Sequence, residues 1–148
     1  MQEWMYQSTP VTEIPEGHIG FVYLITNNIS GRKYIGKKIF HFSKTSYKTV
    51  TQKNGTKKKK KIKSKISSDW MTYWGSSVEL TKDITELGIE NFSREILHFC
   101  NSKAECSYIE AKLQFDHEVL LYPDLWYNGQ IHCRLHRSHI KNFVQKTK

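Results

Sequence analysis

Ten lysines, two tyrosines and one glutamate stand out in this chain as groups whose type and spacing suit chemistry. The lysines, at positions 44, 48, 53, 57, 58, 59, 60, 61, 63 and 65, fall in a stretch that contains no acid. Without them the remainder carries 13 positive charges against 14 negative, so residues 44–65 hold the whole formal surplus of +9. A solvated lysine face is the bland account of such a run. A surplus confined to one segment also suits a polyanion partner, with nucleic acid ahead of an anionic membrane because no amphipathic helix accompanies the lysines. Tyr23 and Tyr34 lie eleven residues apart, each in a short run of aromatic and β-branched residues. A free phenol titrates at ~10, so either would act as a base near neutral pH only beside a cation or metal; packing a sheet is the alternative. Glu110 is flanked at helical spacing by Cys106 and Leu113. A lone carboxylate there can hold a hydrated Mg²⁺, or it can be an ordinary solvated glutamate.

The elements that would position these groups follow from local pattern. Residues 1–17, with Pro10, Pro15 and Gly17, show no sustained periodicity and read as an extended arm ending in a turn. Gly20–Thr26 is a strand, 27–32 is turn chemistry, and Lys33–Lys37 returns as the second strand of an antiparallel hairpin. Tyr47–Lys53, the turn pair Asn54-Gly55 and the lysine run form either a projecting basic β-ribbon or a disordered loop, in both cases an insertion spanning 44–66. Gly75-Ser76-Ser77 leads a helix over 78–87 with Leu80, Ile84 and Leu87 at helical spacing, closed by Gly88. Phe92–Phe99 is a third strand. Ser102 caps a helix to about His117 whose inner face is expected to carry Ala104, Tyr108, Ala111 and Phe115. The order gives a small α+β domain with a three-stranded antiparallel sheet flanked by helices. Its expected divisions are an arm at 1–17, a body at 18–130 and a basic tail at 131–148.

At 148 residues, 38% hydrophobic and 13% aromatic, the chain suits one packed domain rather than general disorder. The longest clear apolar run, Val119-Leu120-Leu121-Tyr122, is far short of a membrane span, and Met1-Gln2-Glu3-Trp4 lacks the start of a secretory signal. Three cysteines (Cys100, Cys106, Cys133) without paired spacing suit a reducing compartment, so a cytoplasmic protein with no membrane partner is expected.

Phe21-Val22-Tyr23 and Tyr34-Ile35-Gly36 resemble the paired motif of GIY-YIG nucleases. Gly75-Ser76-Ser77 before a helix, Gly88 with Phe92, Glu110 and Tyr127-Asn128 follow in that family's order, over residues 19 to 128. The lysine insertion before Asp69-Trp70-Met71-Thr72-Tyr73-Trp74-Gly75-Ser76-Ser77, and the stretch from Glu110 to Asp116, look most like the freestanding homing endonucleases of tailed phages, the Seg type. The resemblance implies hydrolysis of phosphodiester bonds in double-stranded DNA with one divalent ion, Mg²⁺ or a substitute such as Mn²⁺.

By that resemblance, Glu110 would hold the metal, Tyr23 would orient or activate the attacking water, and Tyr34 would bond to the phosphate or that water. Asn128 would steady the site, unless it serves only the turn in Tyr127-Asn128-Gly129. Gly36 would allow close backbone approach. Phe21 replaces the usual glycine, which a strand tolerates. The larger departure is that no arginine occurs between Arg32 and Arg94. Lys37 and Lys38 are the nearest substitutes for the family's phosphate-neutralising arginine, with Lys44 farther away, although lysine lacks the bidentate fork. Gly75 stands where some relatives have histidine, and His41 is an alternative source of an imidazole. Lys57, Lys58, Lys59, Lys60, Lys61, Lys63 and Lys65 are the expected DNA grip, helped by Arg134, Arg137 and Lys141. The His132, Cys133, His136 and His139 set lacks zinc-type spacing and reads as part of that basic tail. A non-cleaving nucleic-acid-binding module, favoured by the missing arginine, and a factor that docks on ribosomes or acidic proteins are the competing readings. Sequence specificity is expected to be modest in the absence of a second DNA-binding domain, unless the insertion or the tail reads bases or the chain dimerises. Target sequence and oligomeric state are not legible.

Overall fold

The structure, a computed structural model, describes residues 3–140. Its sheet has five strands in the order β2-β1-β7-β3-β4. These are β1 (Trp4–Tyr6), β2 (Thr9–Val11), β3 (Gly20–Asn27), β4 (Lys33–Ile39) and β7 (Phe92–Cys100). The sheet is mixed: β1 runs parallel to β7, and the other pairs are antiparallel. The expected three-stranded antiparallel sheet is therefore corrected to a mixed sheet of five strands, two of which come from the first seventeen residues. Two causes hid the extra hairpin. Its strands are three residues each, too short for a visible period. They are joined by Gln7 and Ser8, both with positive φ (49° and 66°), where the usual Asn-Gly turn signal is missing. Trp4 anchors the hairpin: it is fully buried, and its indole N–H donates to the Trp70 carbonyl at 2.6 Å.

The sheet separates two apolar layers. Alternation along β3 sends Phe21, Tyr23 and Ile25 to one side, against Trp4, Phe40, Trp70 and Leu80. Val22 goes to the other side with Ile35, Cys106, Ile109 and Trp126. The first side is covered by helix α1 (Val78–Leu87), whose N-cap Ser77 accepts from the Leu80 N–H and whose end is set by Gly88 at φ 93°. The second is covered by α2 (Lys103–Asp116), capped by Ser102 accepting from the Glu105 N–H. The expected inner face of α2 is wrong in part. Phe115 is 66% exposed and Tyr108 sits at the surface, while Glu105, Cys106, Ile109 and Gln114 are buried beside Ala111. A hydrophobic pattern cannot find Glu105 and Gln114, because hydrogen bonds to distant backbone hold them in place: Glu105 accepts from the Asn101 N–H and Gln114 donates to the Ile35 carbonyl.

The lysine-rich insertion is a ribbon of two long strands, β5 (His41–Thr51) and β6 (Lys57–Ser67), paired only with each other. Its root is fixed where the buried Phe40 donates to the Ile19 carbonyl and accepts from the Ser68 N–H. No helix of the described residues is long and apolar enough to cross a membrane.

Candidate active site

β4 is the outermost strand of the sheet, and the segment after α2 covers its free edge. Lys33 exchanges backbone hydrogen bonds with Leu125 and Tyr127. Two residues on, a side chain continues the ladder: the Asn128 amide donates to the Ile35 carbonyl at 2.8 Å and accepts from the Ile35 N–H at 3.1 Å. Asn128 is thus bound into the edge of β4.

The hairpin register sets the tyrosines. Tyr23 pairs with Gly36 and Ile25 with Tyr34, so the two phenols are diagonal neighbours on one face, with ring centroids 6.2 Å apart. The Tyr23 ring lies directly over Gly36. A Cβ there would fall 2.6 Å from Tyr23 Cζ, and closer still to its hydroxyl, so only glycine fits. Tyr23 itself is 1% exposed, packed against Trp4 and Tyr73. Burial pushes its phenol well above the usual range, and Tyr34, Tyr73 and Glu110 add to the shift. Tyr34 is half-buried, and its hydroxyl lies 3.0 Å from Ser76 Oγ. Desolvation raises it too, although the bond to Ser76 opposes the shift. Both phenols are therefore hydrogen-bonding groups at neutral pH in the metal-free protein.

Glu110 approaches the same edge from the opposite face, on α2. It is half-buried; desolvation raises its carboxyl pKa, and the nearby Lys37 charge pulls the other way. Strand alternation separates the two candidate lysines. Lys37 points toward α2 and donates to Ser107 Oγ at 2.7 Å. Lys38 lies on the tyrosine face, 2.7 Å from Asp69 and 3.9 Å above the Tyr73 ring. Lys38 is thus paired with a carboxylate, whereas among the described residues Lys37 bonds to a neutral hydroxyl and forms no ion pair.

Tyr34, Ser76, Glu110, Gln114, Asn128 and His132 are among the residues lining a cavity of about 360 Å³; Tyr23, Lys37 and Lys38 do not line it. Two lining residues, Gln114 and His132, are not assigned to the site by the sequence. Gln114 is buried with its Nε2 bonded to Ile35, and its Oε1 has no partner. His132 was expected in a DNA-facing tail, but Ile131 packs on the core and Cys133 Sγ donates to the Ser107 carbonyl, which holds it at the cavity. Their positions depend on the chain folding back along β4, which no local pattern announces. Of the lining residues, Glu110 offers the carboxylate oxygen that a hydrated Mg²⁺ or Mn²⁺ takes. A separate group, His98, Cys100 and Glu105, has ligand atoms within 4.8 Å of one another, but Glu105 is already held by His98 and the Asn101 N–H.

Arg94 does not supply the missing arginine. It is 3% exposed, lies between the Trp4 and Trp74 rings at 4.4 and 4.3 Å, and donates to the Tyr73 carbonyl at 2.8 Å. Desolvation lowers its pKa to about 10, which leaves it charged at neutral pH. Its work is to fix the segment that carries Ser76. The remaining predicted cations lie elsewhere: Lys57, Lys58, Lys59, Lys60, Lys61, Lys63 and Lys65 on the ribbon, and Arg134 and Arg137 exposed near the end of the described chain. His136 and His139 bond to each other's turn rather than to the cavity. Lys141 lies outside the described residues.

Comparison with known proteins adds an independent finding. A family model described as "Putative endonuclease segE, GIY-YIG domain" matches residues 4–131. The chain is 31% identical over 110 residues to "Putative endonuclease segD" of Enterobacteria phage T4. That alignment takes in 74% of this chain but 37% of the relative, so the chain spans well under half of the relative's length. No solved structure matches.

Proposed function

The chain belongs to the SegE-type GIY-YIG endonuclease family, and from that premise we propose that it hydrolyses phosphodiester bonds of double-stranded DNA with a divalent ion, in a homing-type role. The observation that carries the reading is convergence. Tyr34 from one face of the sheet and Glu110 from the other line one cavity at the β4 edge, although 76 positions separate them.

Glu110 would hold the ion, Mg²⁺ or Mn²⁺, which when bound supplies positive charge beside the scissile phosphate and makes nearby water more acidic. The protein's own groups do the rest. Tyr34, positioned by Ser76, offers a hydroxyl to the phosphate or the attacking water. Tyr23, held behind it over Gly36, acts through Tyr34 and the metal site rather than as a free base. Lys37 takes the part of the family's arginine: its charge already acts on Glu110, and among the described residues it forms no ion pair of the kind that Asp69 makes with Lys38. His132 is the one imidazole among the described residues lining the cavity, and it is the candidate proton relay. Asn128 steadies the edge. The ribbon lysines and Arg134 and Arg137 grip the duplex by charge.

Supercoiled plasmid incubated with Mg²⁺, beside an EDTA control and Glu110→Ala, tests this. The expected result is metal-dependent nicked or linear DNA with wild type and none with the variant. Binding without cutting, over several sequences and both metals, would sink the catalytic reading and favour a non-cleaving DNA-binding protein on this scaffold, the reading that the missing arginine supports.

A further inference from the structure

The register of the basic ribbon gives its two faces different characters. Directly opposed residues in an antiparallel pair point the same way, and neighbours along a strand point opposite ways. Lys57, Lys59, Lys61, Lys63 and Lys65 therefore form an unbroken row on one face. Opposite them stand Thr51, Thr49, Tyr47, Thr45 and Ser43, and His41 pairs with Ser67 at the root, so beside the ammonium groups that face carries hydroxyls, one imidazole and a single large ring, the exposed Tyr47. The other face pairs Val50 with Lys58, Lys48 with Lys60, Ser46 with Ile62, Lys44 with Ser64 and Phe42 with Ile66. It has four lysines, but apolar side chains interrupt them. Every residue of the odd-numbered row and its hydroxyl partners is exposed.

We infer that the face bearing Lys57, Lys59, Lys61, Lys63 and Lys65 is the duplex-binding surface of the ribbon, laid along the phosphates of the DNA, and that the face bearing Phe42, Ile62 and Ile66 is turned away from it. The inference rests on the nuclease reading and refines it, because sequence alone assigns the consecutive lysines 57–61 to DNA without distinction. Lysines recurring every second residue place charges ~6.8 Å apart over a row of ~27 Å, within one turn of duplex at ~34 Å. Hydroxyls beside each lysine add phosphate hydrogen-bond donors. A two-stranded ribbon is also narrow enough for the major groove, at ~12 Å wide. An anionic membrane would be met better by the other face, where lysines flank exposed apolar groups, so the regular all-polar row selects the polyanion with a regular charge spacing.

Two variants of equal charge decide it. One carries Gln at Lys57, Lys59, Lys61 and Lys63; the other carries Gln at Lys44, Lys48, Lys58 and Lys60. Binding of each to a short duplex is measured in EDTA over a salt series, with phosphatidylserine vesicles as a second target. Each phosphate contact contributes ~0.9 to the slope of log affinity against log salt. The first variant is expected to lose about 3 to 4 of that slope and the second less than about 1. Arginine at the same four odd positions should keep the wild-type slope, which excludes misfolding as the cause. Equal losses in the two variants, or a larger loss in the second, would overturn the face assignment. Wild type that binds duplex while both variants keep its slope would overturn the ribbon as the DNA surface and leave the nuclease reading standing, as plasmid cleavage would show. Wild type that neither binds nor cuts DNA sinks the nuclease reading itself, and binding to vesicles alone would give the ribbon to a membrane.

Discussion

The β4 edge and the β5–β6 ribbon both concentrate polar groups, but they do so in opposite ways. At the edge, a few side chains, most of them half or fully buried, each come from a different element: Tyr34 on β4, bonded to Ser76 before α1; Glu110 on α2, under the charge of Lys37; and Asn128 after α2, bonded to Ile35. On the ribbon, like residues repeat on one strand, exposed and without acidic partners in the segment. Buried groups of that kind act by exact placement and cannot replace one another. Exposed, repeated charges act by summation and can. The comparison implies that single substitutions at the edge have large effects on the chemical step, and that single substitutions on the ribbon have small effects on binding.

Glu110 is where the contrast is sharpest. Glu110→Gln is expected to lower plasmid cleavage by on the order of 10³, the scale for removing one preorganised electrostatic group, while duplex binding in EDTA changes little. The same variant tests the cost of holding a carboxylate there. Burial raises the folded-state pKa of Glu110, with Lys37 opposing. A raised carboxyl pKa favours the folded state fully below the unfolded value of ~4.3, and that contribution is lost as pH rises through the folded value. Without metal, Glu110→Gln should therefore melt higher than wild type at pH 7, and the gap should shrink as the pH is lowered. A variant that melts lower than wild type at pH 7 would show that the site stabilises the carboxylate, contrary to its desolvation.

Gly36 and Asn128 test whether edge geometry depends on packing. In Gly36→Ala the new methyl meets the Tyr23 ring, which Trp4 and Tyr73 hold in place. Overpacking of this kind costs about 1–3 kcal/mol, to be read as a fall in the denaturant midpoint. Asn128→Ala removes both side-chain bonds to Ile35 and leaves its buried N–H unpaired, a loss of about 1–3 kcal/mol. If either variant keeps wild-type stability, the edge is more pliable than its contacts indicate.

Legibility in the sequence followed the range of the physics. The β3–β4 hairpin, the caps at Ser77 and Ser102 and the ribbon turn near Asn54-Gly55 rest on neighbours within a few residues, and all were readable. The β1–β2 hairpin was not, because Gln7 and Ser8 adopt positive φ without the residues that favour it. On α2, Glu105 and Gln114 look like surface residues until their partners at Asn101 and Ile35 are known. At the site, Tyr34, Glu110 and Asn128 were named from the family order, and the structure brings all three to one cavity. Gln114 and His132 were not, since both depend on residues 125–132 returning along β4. Lys37 and Lys38 could be named as a pair, and only the packing of α2 and Asp69 against β4 distinguishes them.

That distinction yields the smallest effect and the most direct comparison of the two regions, because Lys37→Gln and Lys59→Gln remove the same charge. Lys59 is one of a row of exposed lysines, so its loss should reduce the salt slope of duplex binding by about 0.9 and be nearly masked at low salt. Lys37 stands beside Glu110, where removing it withdraws a positive charge from the carboxylate and, on the proposed role, from the phosphate. Its variant should shift the cleavage rate of bound plasmid far more than the salt slope. Single-turnover cleavage and a salt titration, run on both proteins, separate the two effects. If Lys37→Gln behaves like Lys59→Gln, Lys37 is one more grip on DNA, and the substitute for the family's arginine must be Lys38, freed from Asp69 when substrate binds.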